Sequence, residues 1–232
     1  NCIVKWAMAP LIKGNIKVYA STDPDFIPED VPVAMADISD LKMTIVTNDP
    51  TKRYYYTLLF DDKYRVKIAT RNINIPGVQN FRDLGGYPSY STKKQMRWGM
   101  IYRSAEIDSL ECSSRREFKN LGIKTLIDLR ASSEIGRQSP LQKGFNVVHI
   151  PLATGDMEGI LKGIREEKIK SDTVYRMVER MNRILIDQYT KEYRQIFDIL
   201  LDKNSYPVVI HCSSGKGRTG IVSALVLAAL GI

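Results

Sequence analysis

Cysteine is scarce in this chain, with three among 232 residues. Three cysteines cannot form the disulfide framework of a small secreted scaffold, and a cysteine that acts as a nucleophile would have to stay reduced. No apolar run is long enough to span a bilayer, and no signal peptide is recognisable. The chain also lacks a nucleic-acid-binding motif or a strongly basic run, so no nucleic-acid partner is expected. Its length allows one large or two small domains with a sizeable core.

Charge is unevenly distributed along the chain. The formal net charge is +8, and residues 1–72 carry 10 Lys and Arg against 9 Asp and Glu, so nearly all of the excess lies in residues 73–232. Positive surroundings favour anionic substrates or contact with an anionic membrane surface. A generally basic, solvated surface is the alternative interpretation.

One segment, HCSSGKGRTG at residues 211–220, has the strongest chemical signal. It places Cys212 six residues before Arg218 in a turn that contains two glycines. The apolar run at 207–210 predicts a buried strand before the turn, and the run at 220–230 predicts a buried helix after it. The predicted phosphate-binding residues of this turn are Ser213, Ser214, Gly215, Lys216, Gly217 and Arg218.

The position of this turn supplies its chemistry. The first N–H groups of a helix have no intrahelical partner and partial positive charge gathers there, so an oxyanion binds at that end. Arg218 adds a guanidinium that can clamp two phosphoryl oxygens. The same field lowers a thiol pKa that is about 8.5 when unperturbed, so Cys212 is predicted to be a thiolate nucleophile. Thr219 follows the arginine and can offer its hydroxyl to the thiolate.

The spacing of the segment separates it from other loops. A nucleotide P-loop is excluded, because Lys216 is followed by Gly217 and not by Ser or Thr. Neither Cys2 nor Cys112 has an arginine six residues later. A buried structural cysteine at an ordinary strand–helix turn is the remaining alternative.

With these residues the chain resembles the cysteine-dependent protein tyrosine and dual-specificity phosphatases. It is most similar to the bacterial tyrosine/lipid phosphatase branch, because it also contains NFRDLGG at residues 80–86 and DLR at residues 128–130, with Glu134 shortly after. The similarity extends over about residues 73–232. The resemblance implies hydrolysis of a phosphomonoester through a phosphocysteine intermediate, stabilised by Arg218 and the loop N–H groups, without a metal or another cofactor.

The general acid stays open at this point. This branch often carries aspartate just before the arginine of the loop. The chain has Gly217 there, and a glycine at this position resembles the loop of some lipid phosphatases. Asp156 follows a predicted strand where related phosphatases carry a mobile acid loop, and it is the first candidate. Asp128 is the second, with a structural salt bridge to an arginine as its alternative. Asp83 is a third, unless it orients a backbone turn or pairs with Arg82.

The organisation of the chain changes near residues 72–80. Residues 1–74 contain short alternating segments separated by turns, which predicts a small all-β sandwich domain with Trp6 and Tyr55 in its core. Its role is either accessory or purely structural. Residues 75–232 alternate helix and strand patterns, which predicts an α/β phosphatase domain with a mostly parallel central sheet flanked by helices. Ser114 is predicted to cap one helix and Gly122 to end it.

Ligands of such sheets bind beyond the carboxyl ends of the strands. Arg130, the turn after Pro151 and Cys212 are therefore expected to meet there. His211 is predicted to support the loop through a hydrogen bond rather than to transfer protons. His149 is expected to lie in a strand, either in the core or at an edge.

A long helical insert separates Asp156 from the catalytic strand. Apolar residues recur at helical spacing over 174–185 and 189–200, which predicts two helices. Both would cover the core, or the first would act as a lid over the phosphate site. Basic residues precede the first of these helices, and they would either bind extra phosphates or an anionic membrane or simply be solvated: Lys162, Arg165, Lys168 and Lys170.

Substrate and compartment are less well indicated. Lys216 beside Arg218 suits multiply phosphorylated inositol lipids or soluble inositol phosphates, whereas the resembled family also acts on phosphotyrosine proteins. A phosphate-binding module without turnover is the alternative from another class, and nothing indicates the oligomeric state. The extra β domain and the resembled branch favour an exported bacterial enzyme outside the cytoplasm. Cys2 would then be the remnant of a lipid anchor or an incidental thiol.

Overall fold

The computed structural model describes residues 2–10, 12–47, 49, 52–108, 112–135, 144–153, 157–166, 168–169 and 171–232. Six strands come first: β1 (Cys2–Lys5), β2 (Asn15–Ser21), β3 (Ala34–Asp37), β4 (Lys42–Ile45), β5 (Tyr55–Phe60) and β6 (Tyr64–Ala69). Four of them form an antiparallel sheet in the order β3, β2, β5, β6, and β1 pairs with β4 in a second antiparallel sheet. The alternating pattern of this region therefore forms strands at the predicted positions.

The two antiparallel sheets share one buried core, formed by Val4, Ile16, Val18, Ile38, Met43, Ile45, Tyr56, Leu58 and Phe60. Trp6 packs against this core, and its Nε1 donates to the Ile38 carbonyl at 2.8 Å. Tyr55 is buried, as predicted for a core aromatic, but it does not lie in this core. Successive residues of a strand face opposite sides, so Tyr56 enters the sandwich and Tyr55 lies on the other face, under the Arg53 guanidinium.

The second half of the chain is built on a five-stranded sheet. Its strands are β7 (Arg82–Asp83), β8 (Ile101–Ser104), β9 (Thr125–Asp128), β10 (Asn146–His149) and β11 (Val208–His211). The order is β10, β9, β11, β8, β7, and every pairing is parallel except that of β7 with β8. β11 occupies the centre and all four of its residues are buried, as expected for a short apolar strand with neighbours on both sides.

Helices cover both faces of this sheet: α1 (Cys112–Asn120), α2 (Met157–Arg165), α3 (Ser171–Gln188), α4 (Thr190–Leu201) and α5 (Gly217–Ala229). Leu185 of α3, Ile196 of α4 and Val222 of α5 enter one core, and Phe118 of α1 enters the other. These packed faces confirm the α/β class. None of the described helices combines the length and apolar character that crossing a membrane requires.

Helix α1 corrects one local prediction. The helix begins at Cys112, so Ser114 lies inside it and does not cap it. Ser114 is buried, and its hydroxyl donates instead to the Pro76 carbonyl at 2.5 Å. Gly122 follows the helix with a φ of +68°, the left-handed conformation that commonly ends helices.

Polar contacts connect the β-sandwich to the α/β region. Arg53 pairs with Asp83 at 2.7 Å and donates to the Tyr102 hydroxyl at 2.9 Å. Asp83 is fully buried and also accepts the N–H groups of Gly85 at 2.7 Å and Gly99 at 2.8 Å. Asp83 thus orients a backbone turn, as one alternative predicted, but its ionic partner is Arg53. The domain boundary at residue 74 stays a prediction.

Candidate active site

The predicted loop lies between the central strand and a helix. β11 ends at His211, α5 begins at Gly217, and the sulfur-bearing Cys212 is only 1% exposed. Gly215 forms the tight part of the loop with a φ of +67°. A Cβ at this position would lie 2.4 Å from the Ser104 carbonyl group. Glycine is therefore required here both by conformation and by the nearness of the β8 backbone.

Two side chains hold the outer side of the loop. Arg103 of β8 donates through Nη2 to the Gly215 carbonyl at 2.6 Å and the Lys216 carbonyl at 3.3 Å. Asn80 donates to the Ser214 carbonyl at 3.2 Å and the Gly215 carbonyl at 3.1 Å. With these carbonyls engaged from outside, the opposite ends of the peptide groups can turn toward an anion on the inside.

The environment of Cys212 favours its thiolate. Burial alone would raise the pKa of the thiol. Hydrogen bonding from the Thr219 hydroxyl and N–H, the Arg218 charge and the Gly215 N–H outweigh burial, so the pKa is lowered from its ordinary value. The buried Thr219 hydroxyl engages no other polar group in the described part of the chain. This arrangement agrees with the predicted nucleophile.

Glu134 holds the arginine of the loop. Its carboxylate accepts Nη1 of Arg218 at 2.5 Å and Nη2 at 2.7 Å, and it also accepts the Ser213 hydroxyl at 2.7 Å. Hydrogen bonding from Arg218 is the largest cause that lowers the pKa of Glu134 to about 2. Glu134 is therefore ionised at neutral pH and fixes the guanidinium in a planar, bidentate pair.

Arg218 also joins the ends of neighbouring segments. Its Nη1 lies 3.3 Å from the Leu129 carbonyl and 3.5 Å from the Leu152 carbonyl. These carbonyls follow β9 and β10, so the carboxyl ends of three parallel strands meet at the arginine. The strand ends thus come together at the loop of Cys212, whereas the Arg130 side chain pairs with Asp128 and Asp108.

A model described as the tyrosine phosphatase family matches residues 73–232. The chain belongs to the tyrosine phosphatase family. It is 31% identical over 180 residues to the triple specificity protein phosphatase PtpB of Mycobacterium tuberculosis, covering 68% of this chain and 63% of that protein. It is also similar to a candidate tyrosine-protein phosphatase of Cupriavidus necator. The identity is 27% over 158 residues, which cover 67% of this chain and 56% of that protein. The chain thus spans about three fifths of the length of these relatives.

Within this tyrosine phosphatase family member, Asp128 and Arg130 form a buried ion pair. Nε and Nη2 of Arg130 reach the Asp128 carboxylate at 3.0 and 2.7 Å. Burial alone would raise the pKa of Asp128, but its hydrogen bonds from the Arg130 side chain and N–H, together with the Arg130 charge, lower it below its ordinary value. Arg130 also reaches Asp108 at 2.6 Å. The geometry favours the salt-bridge alternative for Asp128 over the general acid.

His211 is fully buried, and neither ring nitrogen has a hydrogen-bond partner among the described residues. Nδ1 lies 3.9 Å from Asp128 Oδ1. Burial lowers the pKa of His211 to about 4. The predicted hydrogen bond to the loop is therefore absent from the described part of the chain, and a neutral ring packs beneath the loop instead. His149 lies at the edge strand β10, as one alternative expected.

The remaining predicted residues divide into exposed and undescribed ones. Ser214, Lys216 and Gly217 are exposed at the mouth of the loop. Asp156 and Lys170 lie outside the described residues. In the part of the chain that is described, no three His, Cys, Asp or Glu side chains come together as a metal ion would require. The residues to which the sequence assigned no role are Glu134 and Arg103, which orient Arg218 and the loop.

Proposed function

We propose that this chain hydrolyses phosphomonoesters through a phosphocysteine intermediate. The observation that carries the proposal is the Cys212 thiol, which is buried at the start of α5 with a lowered pKa, in the same loop as Arg218. A thiolate is the reactive form of cysteine. A guanidinium and a helix N-terminus on the same loop are suited to bind the group that a thiolate would attack.

The reaction has two displacements. The Cys212 sulfur attacks phosphorus, an S–P bond forms, and the ester P–O bond breaks. Arg218 and the loop N–H groups bind the three equatorial oxygens, over which the negative charge of the transferring group is spread. Water then attacks the phosphocysteine, the S–P bond breaks, and inorganic phosphate leaves with the thiolate restored. Glu134 keeps the Arg218 guanidinium oriented throughout.

Asp156 is our proposed donor of the proton that the leaving oxygen requires. Asp128 is less suited, because its ion pair with Arg130 keeps it ionised. A general acid contributes roughly 100-fold or more to rate. We therefore expect Asp156→Asn to reduce kcat about 100-fold with phosphotyrosine, but much less with p-nitrophenyl phosphate, whose leaving group needs little protonation. Equal losses with both substrates would rule out the proposed role.

Gly217 offers a way to test the same assignment from within the loop. A Cβ at this position would meet no atom within 4 Å, so Gly217→Asp is sterically allowed. The new carboxyl group would stand where many members of the resembled branch carry aspartate. We expect it to restore part of the phosphotyrosine activity that Asp156→Asn loses. The matched variant Gly217→Asn, which carries no acid, should restore none.

Phosphotyrosine proteins and phosphoinositides are the substrates we propose. Membership of the tyrosine phosphatase family supports the first, and the triple specificity in the name of the mycobacterial relative supports a broader range. The positive charge excess after residue 72 supports peripheral contact with an anionic membrane. The β-sandwich is proposed to be an accessory domain. A location outside the cytoplasm stays a prediction.

Phosphate release is the direct test. Intact protein and Cys212→Ser would be incubated with a phosphotyrosine peptide and with short-chain phosphoinositides, and inorganic phosphate would be measured. We expect release that the substitution abolishes, and the preferred substrate decides between protein and lipid. No release from any substrate, with phosphate ligands still bound, would favour a recognition module without turnover.

A further inference from the structure

Two arginines lie side by side next to the catalytic loop. Arg82 of β7 is the direct cross-strand partner of Arg103 of β8. Residues directly opposite on antiparallel strands project from the same face with Cβ atoms about 5 Å apart, and like charges in such pairs repel. Burial lowers the pKa of Arg103, and the neighbouring Arg82 charge lowers it further. The fold therefore holds two positive charges together at the edge of the sheet.

This arginine pair lacks the carboxylate partners that other arginines of the site have. Arg53, Arg130 and Arg218 each bind a carboxylate. Arg82 and Arg103 form no ion pair with any described residue, and the Nε of each is buried without a hydrogen-bond partner there. Two guanidinium groups with unmet donors and no counter-charge are the arrangement that an oxyanion stabilises.

A polar cavity adjoins the pair. Its volume is about 740 Å³, it is lined by residues 72–82, and Arg82 is one of its walls. Four amide residues are among those that line it: Asn72, Asn74, Gln79 and Asn80. Asn80 and Arg103 both donate to the Gly215 carbonyl, so the cavity and the arginine pair abut the outer side of the catalytic loop.

We propose that Arg82 and Arg103 bind a second phosphate group of the substrate, while Arg218 and the loop bind the phosphate that is removed. The inference deepens the proposed function and rests on it. Arginine recognises phosphate with a planar, two-pronged set of donors, and Lys216 is a further exposed cation on the same loop. The ligand class is a molecule with two phosphate monoesters. A phosphoinositide headgroup and a free inositol phosphate share this chemistry.

The first test compares substrates with one and two phosphates. The ratio of kcat/KM for an inositol bisphosphate over the matching monophosphate would be measured with short-chain lipids and, separately, with the free inositol phosphates. We expect intact protein to prefer two phosphates, and Arg82→Gln to reduce the preference about tenfold, the effect of losing one charged hydrogen bond. A preference seen with lipids alone assigns the site to headgroups, and one seen in both sets assigns it to the phosphorylated ring.

Two further variants serve as controls for the Arg82→Gln result. Arg116 is exposed on α1 and is not among the residues that line the cavity, so Arg116→Gln removes the same charge from another element and should keep the full preference. Arg82→Lys keeps the charge but loses the two-pronged geometry and should give an intermediate ratio. Melting temperatures would show that each variant folds. An undiminished preference in folded Arg82→Gln would overturn the proposal.

The second test measures binding without turnover. Cys212→Ser protein would be titrated with inorganic phosphate by calorimetry, with two sites expected, and with one site expected when Arg82→Gln is added. Two sites in a protein that releases no phosphate from any substrate would support this inference while rejecting the proposed hydrolysis. Phosphate release together with a single binding site and no preference for two phosphates would reject this inference alone.

Discussion

Gly215→Ala adds only a methyl group, and the structure predicts that it causes a large loss of activity. In Gly215→Ala the new Cβ would lie 2.4 Å from the Ser104 carbonyl carbon and oxygen, and 2.6 Å from the Ala105 nitrogen. These are backbone atoms at the end of β8, which is paired with β11 and cannot move aside. Ordinary contact begins near 3.4 Å, so the loop must shift by about 1 Å. The positive φ adds about 1 kcal/mol of strain.

A displacement of about 1 Å at a reacting group can reduce a rate about 100-fold. We therefore expect Gly215→Ala to lower kcat/KM for an aryl phosphate about 100-fold. Gly217→Ala is the matched control, because no atom lies within 4 Å of its new Cβ, and it should change kcat/KM little. Wild-type kcat/KM in folded Gly215→Ala would refute the argument that this contact sets the position of the loop.

Three further outcomes are expected. Thr219→Ala removes a hydroxyl that lowers the Cys212 pKa, so alkylation of the thiol by iodoacetamide should require a higher pH. Thr219→Ser should restore the original pH profile, and an unchanged profile in Thr219→Ala would contradict the argument. Glu134→Gln releases Arg218 from its bidentate pair, and kcat/KM should fall about tenfold; unchanged kinetics would contradict the orienting role. The pKa of His211 is lowered from 6.5 to about 4, so only the unfolded chain gains a proton between these values. The free energy of unfolding should therefore be highest above pH 6.5 and fall by about 2 kcal/mol from pH 7 to pH 5, as measured by urea unfolding. His211→Asn should remove this pH dependence, whereas replacing the exposed His149 on β10 should leave it in place.

The parts of the site that are local in sequence could be predicted from the sequence. Cys212 and Arg218 belong to one loop, and their spacing, together with the apolar runs on both sides, determines where each side chain lies relative to the helix N-terminus. Gly122 could be predicted as a helix end for the same reason. The β-rich segment at 54–60 predicts a strand, but its run of apolar and aromatic residues does not show which face enters the sandwich, so the sequence does not separate Tyr55 from Tyr56.

The parts of the site that the sequence did not reveal depend on long-range contacts. Glu134 meets Arg218 across 84 residues, and Arg103 meets Gly215 across 112. Each is a charged residue of ordinary type in its own segment, and only the order of strands in the sheet brings it to the loop. Glu134 was noticed beside the DLR motif, but no local pattern states which cation it would bind.

The NFRDLGG motif at residues 80–86 supports the site mainly through structural contacts. Asn80 holds the outer carbonyls of the catalytic loop. Asp83 takes the Arg53 guanidinium from the β-sandwich and fixes two backbone N–H groups. Gly85 would place a Cβ 2.5 Å from the Trp98 backbone, and Gly86 would place one 2.0 Å from the Trp98 ring. The motif therefore connects the sandwich, the turn before β8 and the loop, so the position of Cys212 depends on Asn80 and Asp83, which support the loop from outside.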